Sequence, residues 1–241
     1  MQWFLWDEFD QWISERTIRR WFKIQKYSKK KIRFNASERD QFLRDDWIKR
    51  LSQWHHYQLV FVDESAANER TKDRKYGWAP IGVRPQEQRP QKRSERWSIL
   101  PAYTSHEGYI AYEIIQGSFT KALFLHFLEA KVLPLCNYYD PLNPQPNSVL
   151  IMDNASIHRG PEIRALCNRY GVLLEYLPPY SPDYNPIEQS FAEIKGWMKK
   201  NRDLAKAFAD DFAGFINLAV TSLVGRKAKH FTSCYISLED Y

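Results

Sequence analysis

The sequence predicts an α/β fold, a mixed and partly antiparallel sheet flanked by helices and preceded by a small helical segment. Three observations carry that expectation. Two short, continuously apolar, β-rich runs, Leu59–Val62 and Val149–Met152, have the composition of strands covered on both faces. Around them the strands come first as a meander and then alternate with helices. Hydrophobic residues make up 44% of the 241, and nine are Trp, which is ample material for a packed core and argues against global disorder. At ~150 residues per domain, the length fits one domain and a smaller piece.

The elements follow in order. Leu5, Phe9 and Trp12 mark a first helix, and Ser14 is a suitable N-cap for a second. From Arg16 to Arg33 there are nine basic residues and no acid, with Ile18, Trp21, Phe22 and Ile24 at roughly helical spacing. Two short helices with a basic second one can form a helix-turn-helix that reads a major groove, or simply a solvated amphipathic helix. Ala36 to Trp54 reads as a linking helix, with Phe42, Leu43, Trp47, Ile48 and Leu51 on its apolar side. After the strand Leu59–Val62, segments 97–103 and 109–115 flank the turn-like Ser105-His106-Glu107-Gly108 and predict a hairpin. Thr120 to Leu135 is a helix with Leu123, Phe124, Phe127, Leu128 and Val132 in register. The strand Val149–Met152, a helix over 161–170, a strand over 173–177 and a helix starting near Pro186 complete the core.

Composition narrows the function classes. The formal net charge of +6 favours a polyanionic partner without requiring one. The three cysteines are far apart, against a disulfide framework or cysteine-rich zinc site. No apolar run approaches the roughly 18 residues of a membrane span. The N-terminus lacks the basic region of a signal peptide, so the expectation is a soluble intracellular protein with no membrane partner.

Both buried strands run into an aspartate, Asp63 and Asp153. As parallel neighbours they would present both carboxylates at the carboxyl edge of the sheet, where open α/β folds place their ligands. Two adjacent ionised Asp repel each other unless a cation lies between them, and all-oxygen ligands favour Mg²⁺ or Mn²⁺. For either Asp alone, a turn former or helix cap is the simpler reading, and it is the repeated pattern that favours a metal pair. Glu188 also has two readings. Asn185-Pro186-Ile187-Glu188 fits an N-cap, a proline at the first helical position and a Glu three after the cap. Spacing alone leaves capping box and metal ligand both open.

At these residues the chain resembles a known family. Val60-Phe61-Val62-Asp63-Glu64-Ser65, then Met152-Asp153-Asn154-Ala155-Ser156-Ile157-His158, then Leu177-Pro178-Pro179-Tyr180-Ser181-Pro182-Asp183-Tyr184-Asn185-Pro186-Ile187-Glu188 resemble the catalytic blocks of mariner-superfamily (DDE-type) transposases. Related bacterial insertion-sequence enzymes belong to the same group. The 34 residues between Asp153 and Glu188 fit that superfamily, and Arg70-Thr71 with Tyr76-Gly77-Trp78 resemble eukaryotic, especially fungal, members. The resemblance implies a ribonuclease H-like catalytic domain over 57–201, in which Asp63, Asp153 and Glu188 are catalytic and bind two Mg²⁺ or Mn²⁺ ions. Ions so held lie about 4 Å apart and flank a scissile phosphate.

It further implies a helix-turn-helix-like DNA-binding segment over 1–35, the second half of a bipartite region, then a linking helix over 36–56 and a C-terminal helical tail over 202–241. Family members usually carry another helix-turn-helix ahead of this one, so the N-terminus is expected to be shortened. Arg16, Thr17, Arg19, Arg20 and Lys23 are its DNA-contact candidates, and Arg70, Lys72 and Arg74 are candidates for phosphate contact near the site. Asn154 and His158 match the second block and are site-lining candidates, although a His after a strand-end loop is more often a packing or capping residue than a general base. Glu64 would point to the opposite side of an extended strand and is expected to be structural or to act behind the site. Asp183, in a proline-rich turn, is expected to be structural.

The activity implied is metal-dependent hydrolysis of transposon-end phosphodiesters and strand transfer into target DNA, with inverted-repeat ends and a TA target. A DNA-bound homodimer is compatible with cutting two ends together. The compartment is the nucleus in a eukaryote, otherwise the cytoplasm with the DNA. Two other readings remain at this level, a catalytically silent transposase-derived DNA-binding protein or repressor, and a metal-dependent nuclease without strand transfer.

Overall fold

The computed structural model describes residues 2–28, 39–68, 71, 81, 95–208, 210–223 and 228–238. Arg70, Lys72 and Arg74 lie outside the described residues, as do Tyr76, Gly77 and Trp78. The chain divides into two compact units, Met1–Ser37 and Glu38–Tyr241.

The first unit holds α1 (Gln2–Phe9) and α2 (Glu15–Ile24). Ser14 caps α2 as expected, its hydroxyl accepting from the Thr17 amide at 3.2 Å. The strong amphipathicity of α2 does not translate into burial, because none of its residues is buried within the unit. Two helices of this length enclose too little apolar area to form a core.

In the second unit, the sheet is built on β1 (Leu59–Val62), β2 (Ser65–Asn68), β3 (Arg96–Thr104), β4 (Gly108–Gln116), β5 (Val149–Met152) and β6 (Leu173–Tyr176). One edge of β3 pairs with β4, and its other edge takes β1 and then β2, all antiparallel. β1 then pairs parallel with β5, and β5 parallel with β6. The predicted hairpin is present, one residue longer at each end than expected.

Side chains alternate across each strand, so the two apolar runs feed two separate cores. Leu59, Phe61, Val149 and Ile151 pack with α3 (Gln41–Leu51), α6 (Ile187–Lys200), α7 (Phe212–Thr221) and α8 (Ala228–Thr232). Val60, Val62, Leu150 and Met152 pack with α4 (Lys121–Phe127) and α5 (Pro161–Tyr170) on the other face. All eight strand residues are buried, which explains why neither run alternates with polar residues. Among the described residues, no helix is long and apolar enough to cross a membrane.

Two helices differ from expectation. The run predicted as one helix over 120–135 is α-helical to Phe127, then widens to a π-type turn over Leu128–Val132 and tightens to a 3₁₀ turn ending at Leu135. Leu123, placed in its apolar register, is 41% exposed. In α3 the buried positions are Arg44, Trp47 and Leu51, while Phe42 is 78% exposed. The inward face therefore starts from an arginine.

Arg44 has a specific task there. Its guanidinium donates to Ser181 Oγ at 2.7 Å and to both oxygens of Asp183 at 3.1 and 2.9 Å, and lies 4.0 Å from the Tyr184 ring centroid. This clamp ties α3 to the proline-rich loop before α6, so the expectation of a structural Asp183 agrees with its geometry. We expect Arg44→Ala to cost about 2–3 kcal/mol in thermal or denaturant unfolding, because it strips a buried charged donor from three acceptors. Arg44→Lys should recover only part of that, since an ammonium cannot make the paired contact.

Candidate active site

The register of β1 against β5 sets the site. Val62 pairs with Met152, so Asp63 and Asp153 leave the sheet side by side at its carboxyl edge. Glu188 arrives from the first turn of α6, and all three acids line one cleft of about 380 Å³. Asn154, Arg159, Asn185 and the loop 177–182 complete its walls.

The capping-box reading of Glu188 does not hold. The helix starts at Ile187, and its cap position is Pro186, with no side-chain hydrogen bond. Asn185, expected to cap, instead donates from Nδ2 to Asp63 Oδ2 at 2.8 Å, leaving the Glu188 carboxylate to the cleft. A proline at the cap has no side-chain acceptor for the helix, and the asparagine is more strongly engaged by a buried carboxylate.

Electrostatics distinguish the three acids. Burial pushes Asp63 up to about 7, and repulsion from Asp153 and Glu188 adds to it, against a backbone hydrogen bond from Glu64. Glu188 is raised as well, by burial and by Asp153, against the attraction of Lys195. Burial acts on Asp153 too, but the hydrogen bond from His158, aided by the Ala155 amide, holds its carboxyl below the usual range.

His158 does not line the cleft as expected. Its ring is fully buried behind Asp153, with Nδ1 2.6 Å from Asp153 Oδ1 and Nε2 2.8 Å from Glu64 Oε2. Burial disfavours its charge, but the two carboxylates prevail and raise it to about 9. The ring is thus an imidazolium at neutral pH, donating from both nitrogens. Glu64 stands behind the site, as expected, through this contact. Asn154 lines the cleft and donates from its side chain to the Leu177 carbonyl.

Sequence reasoning missed Arg44, the hydrogen bond of Asn185 to Asp63, and Arg159. The helical spacing of Arg44 with Trp47 and Leu51 is the signal that could have found the first. In the N-terminal unit, Arg19 pairs with Glu15, and the Thr17 hydroxyl is 2.8 Å from Ser14 Oγ in the cap. Arg16, Arg20 and Lys23 are exposed on α2.

The donor set suits a hard divalent cation, being three carboxylates with no thiolate or imidazole facing the cleft. Among the described residues, no three His, Cys, Asp or Glu side chains are close enough to enclose one ion as they stand. Asp63 is held by the Asn185 side chain and the Glu64 amide.

Asp63 binds its proton more tightly folded than unfolded, so without metal its contribution to stability falls as pH rises from 3.8 to about 7. The contribution of His158 is complete below 6.5 and lost as pH rises through about 9. Asp153 works oppositely, with a contribution present above 3.8 and lost as pH falls through its lowered value. Calorimetric titration with Mn²⁺ should therefore show affinity rising up to about pH 7, with release of about one proton at pH 6 and almost none at pH 8. Proton release independent of pH would contradict the Asp63 assignment.

The sheet order, with carboxylates brought to one cleft by the ends of two parallel strands and the start of one helix, is the arrangement the resemblance of the three sequence blocks implied, that of a phosphodiester-cleaving enzyme. Residues 58–208 match the family model described as DDE superfamily endonuclease, and the chain belongs to that family. No curated protein sequence matches it.

Solved structures share the fold. The Mos1 strand transfer complex aligns over 100% of this chain and 77% of that one, with a TM-score of 0.61 and 17% identity. The Mos1 mariner paired-end complex with Mn gives 0.60 at 16% identity, and that with Mg gives 0.58 at 17%. Both cover 100% of this chain and 78% of theirs.

Proposed function

We propose that this chain is a cut-and-paste DNA transposase that hydrolyses phosphodiesters at transposon ends and joins the freed ends to target DNA. The observation that carries the proposal is that Asp63, Asp153 and Glu188 line one cleft at the sheet edge, in a chain of the DDE endonuclease family. Support for the DNA partner comes from solved structures of the same fold, among them a Mos1 transposase paired-end complex with the left transposon end and the Mos1 strand transfer complex.

In this reading Asp63, Asp153 and Glu188 hold two divalent ions, Mg²⁺ or Mn²⁺. Bound there, the ions would activate the attacking hydroxyl and stabilise the leaving oxygen. The protein's own part is positioning. Asn185 and the Glu64 amide fix both oxygens of Asp63, and His158 fixes one oxygen of Asp153. Asp63 must lose its proton before it can ligate, which couples activity to pH near 7. Attack by a hydroxyl needs no covalent protein–DNA intermediate. The exposed cations of α2, Arg16, Arg20 and Lys23, are the proposed contacts to the transposon ends, and two copies of the chain would bring two ends together.

The test is incubation of end-labelled inverted-repeat DNA with Mg²⁺ or Mn²⁺, beside Asp153→Ala. Metal-dependent nicking and joined products, both lost in the variant, are expected. Shifted but uncut DNA with both proteins would identify a binding protein instead, and nicking without joined products a simple nuclease.

A further inference from the structure

An acidic cleft repels the polyanion it cuts, so cations must meet the DNA at its rim. Among the described residues lining the triad cleft, Arg159 is the one cation. It also lines a second, adjoining groove, with Gly160, Pro161, Arg164 and Tyr176. Both arginines are exposed, and neither has a carboxylate within ion-pair distance among the described residues.

The nearby acids are already engaged. Glu162 pairs with Lys121 at 2.8 Å, and Glu175 pairs with Arg50. The groove therefore keeps a net positive charge beside a negative cleft. It is also tied to the catalytic loop, because the Tyr176 hydroxyl donates to the His158 carbonyl at 2.7 Å.

We propose that this groove carries the DNA backbone as it leaves the catalytic cleft, with Arg159 and Arg164 each contacting one phosphate next to the scissile bond. The proposal rests on the DNA-cutting reading above and names the surface on which the strand lies. Guanidinium groups suit phosphate oxygens, because their planar donors reach two oxygens at once. Contacts of this kind set register on the strand and carry no base preference.

The test is the salt dependence of binding of a random-sequence DNA duplex to the full chain, measured across a NaCl series without divalent metal. Each lost phosphate contact should flatten the slope of log Kobs against log salt by about 0.9. Arg159→Ala and Arg164→Ala should each show that change, and the double variant about 1.8. Arg159→Lys and Arg164→Lys should keep most of the slope. Arg169→Ala, at an exposed α5 cation that is paired with Glu129, is the control and should leave it unchanged.

If Arg159 serves only to keep Asp153 ionised, its removal will alter metal binding and leave the slope as it was. Unchanged slopes in both alanine variants, with normal wild-type binding, overturn the groove alone. Failure of the wild-type chain to bind DNA at all overturns both the groove and the DNA-cutting reading.

Discussion

Asp63→Asn is expected to make the metal-free protein more stable while abolishing its metal-dependent activity. The folded protein holds the Asp63 carboxyl at about 7, against 3.8 for a free aspartate side chain. At pH 8 the ionised side chain then costs about 4 kcal/mol relative to a neutral one, at ~1.36 kcal/mol per unit. An amide removes that cost, worth roughly 10 °C in melting temperature for a domain of this size. The gain should vanish near pH 4, where the wild-type carboxyl is itself protonated.

The surroundings can accept the change. Asn185 Oδ1 is buried with no hydrogen-bond partner, so a flip of the Asn185 amide offers an acceptor to the new side-chain NH₂. Metal-dependent cleavage should meanwhile fall by a factor on the order of 10³ or more, because a ligand carboxylate is lost. Differential scanning calorimetry at pH 4 and pH 8, beside a nicking assay, reads both effects. A variant that is no more stable at pH 8, or that still cuts, would show that Asp63 is not a destabilised metal ligand.

That trade between stability and function explains which parts of the molecule were legible in the sequence. The sheet was, because Leu59–Val62 and Val149–Met152 are apolar at every position, and only a doubly covered strand makes such a run favourable. Asp63 and Asp153 were visible for the same reason, since a carboxylate that ends such a run lies at the sheet edge in any arrangement. Glu188 was ambiguous because its neighbours satisfy the local rules of a helix start. The choice was made by a distant partner, when Asn185 turned its amide to Asp63 instead of the helix.

Long-range polar pairing is what a single sequence conceals. The apolar side expected of the linking helix included Phe42 and Leu43 and left Arg44 out. The burial is reversed because Asp183, Ser181 and Tyr184, some 140 positions away, supply a guanidinium with acceptors and an aromatic face. The basic run before Arg33 shows the converse limit. Its amphipathic pattern correctly marks a helix and its cap, yet the pattern cannot say what covers the apolar side.

His158→Ala should have the opposite sign to Asp63→Asn, losing both stability and metal affinity. The ring fills a fully buried space with its centroid 4.5 Å from that of Phe124, and it is the hydrogen-bonded link between Asp153 and Glu64. Removing it leaves a cavity and strands Glu64, whose Oε1 already lacks a partner. Losing a fully buried ring together with its contacts to one half-exposed and one mostly buried carboxylate costs about 3 kcal/mol.

The pH profile identifies the electrostatic share of that cost. The share from the imidazolium is complete below pH 6.5 and lost as pH rises through about 9. The deficit of the variant should therefore narrow at high pH, leaving the cavity cost. Freed of its donor, Asp153 can rotate, and Mn²⁺ affinity by calorimetry should drop about 10–100-fold, as when the support behind a metal ligand is removed. Glu64→Gln provides the control, since it unloads one side of the imidazolium while Asp153 keeps its donor. It should lower the pKa of His158, read by NMR titration, and alter Mn²⁺ affinity far less. Equal losses of affinity in the two variants would mean that His158 only packs the loop and does not position Asp153.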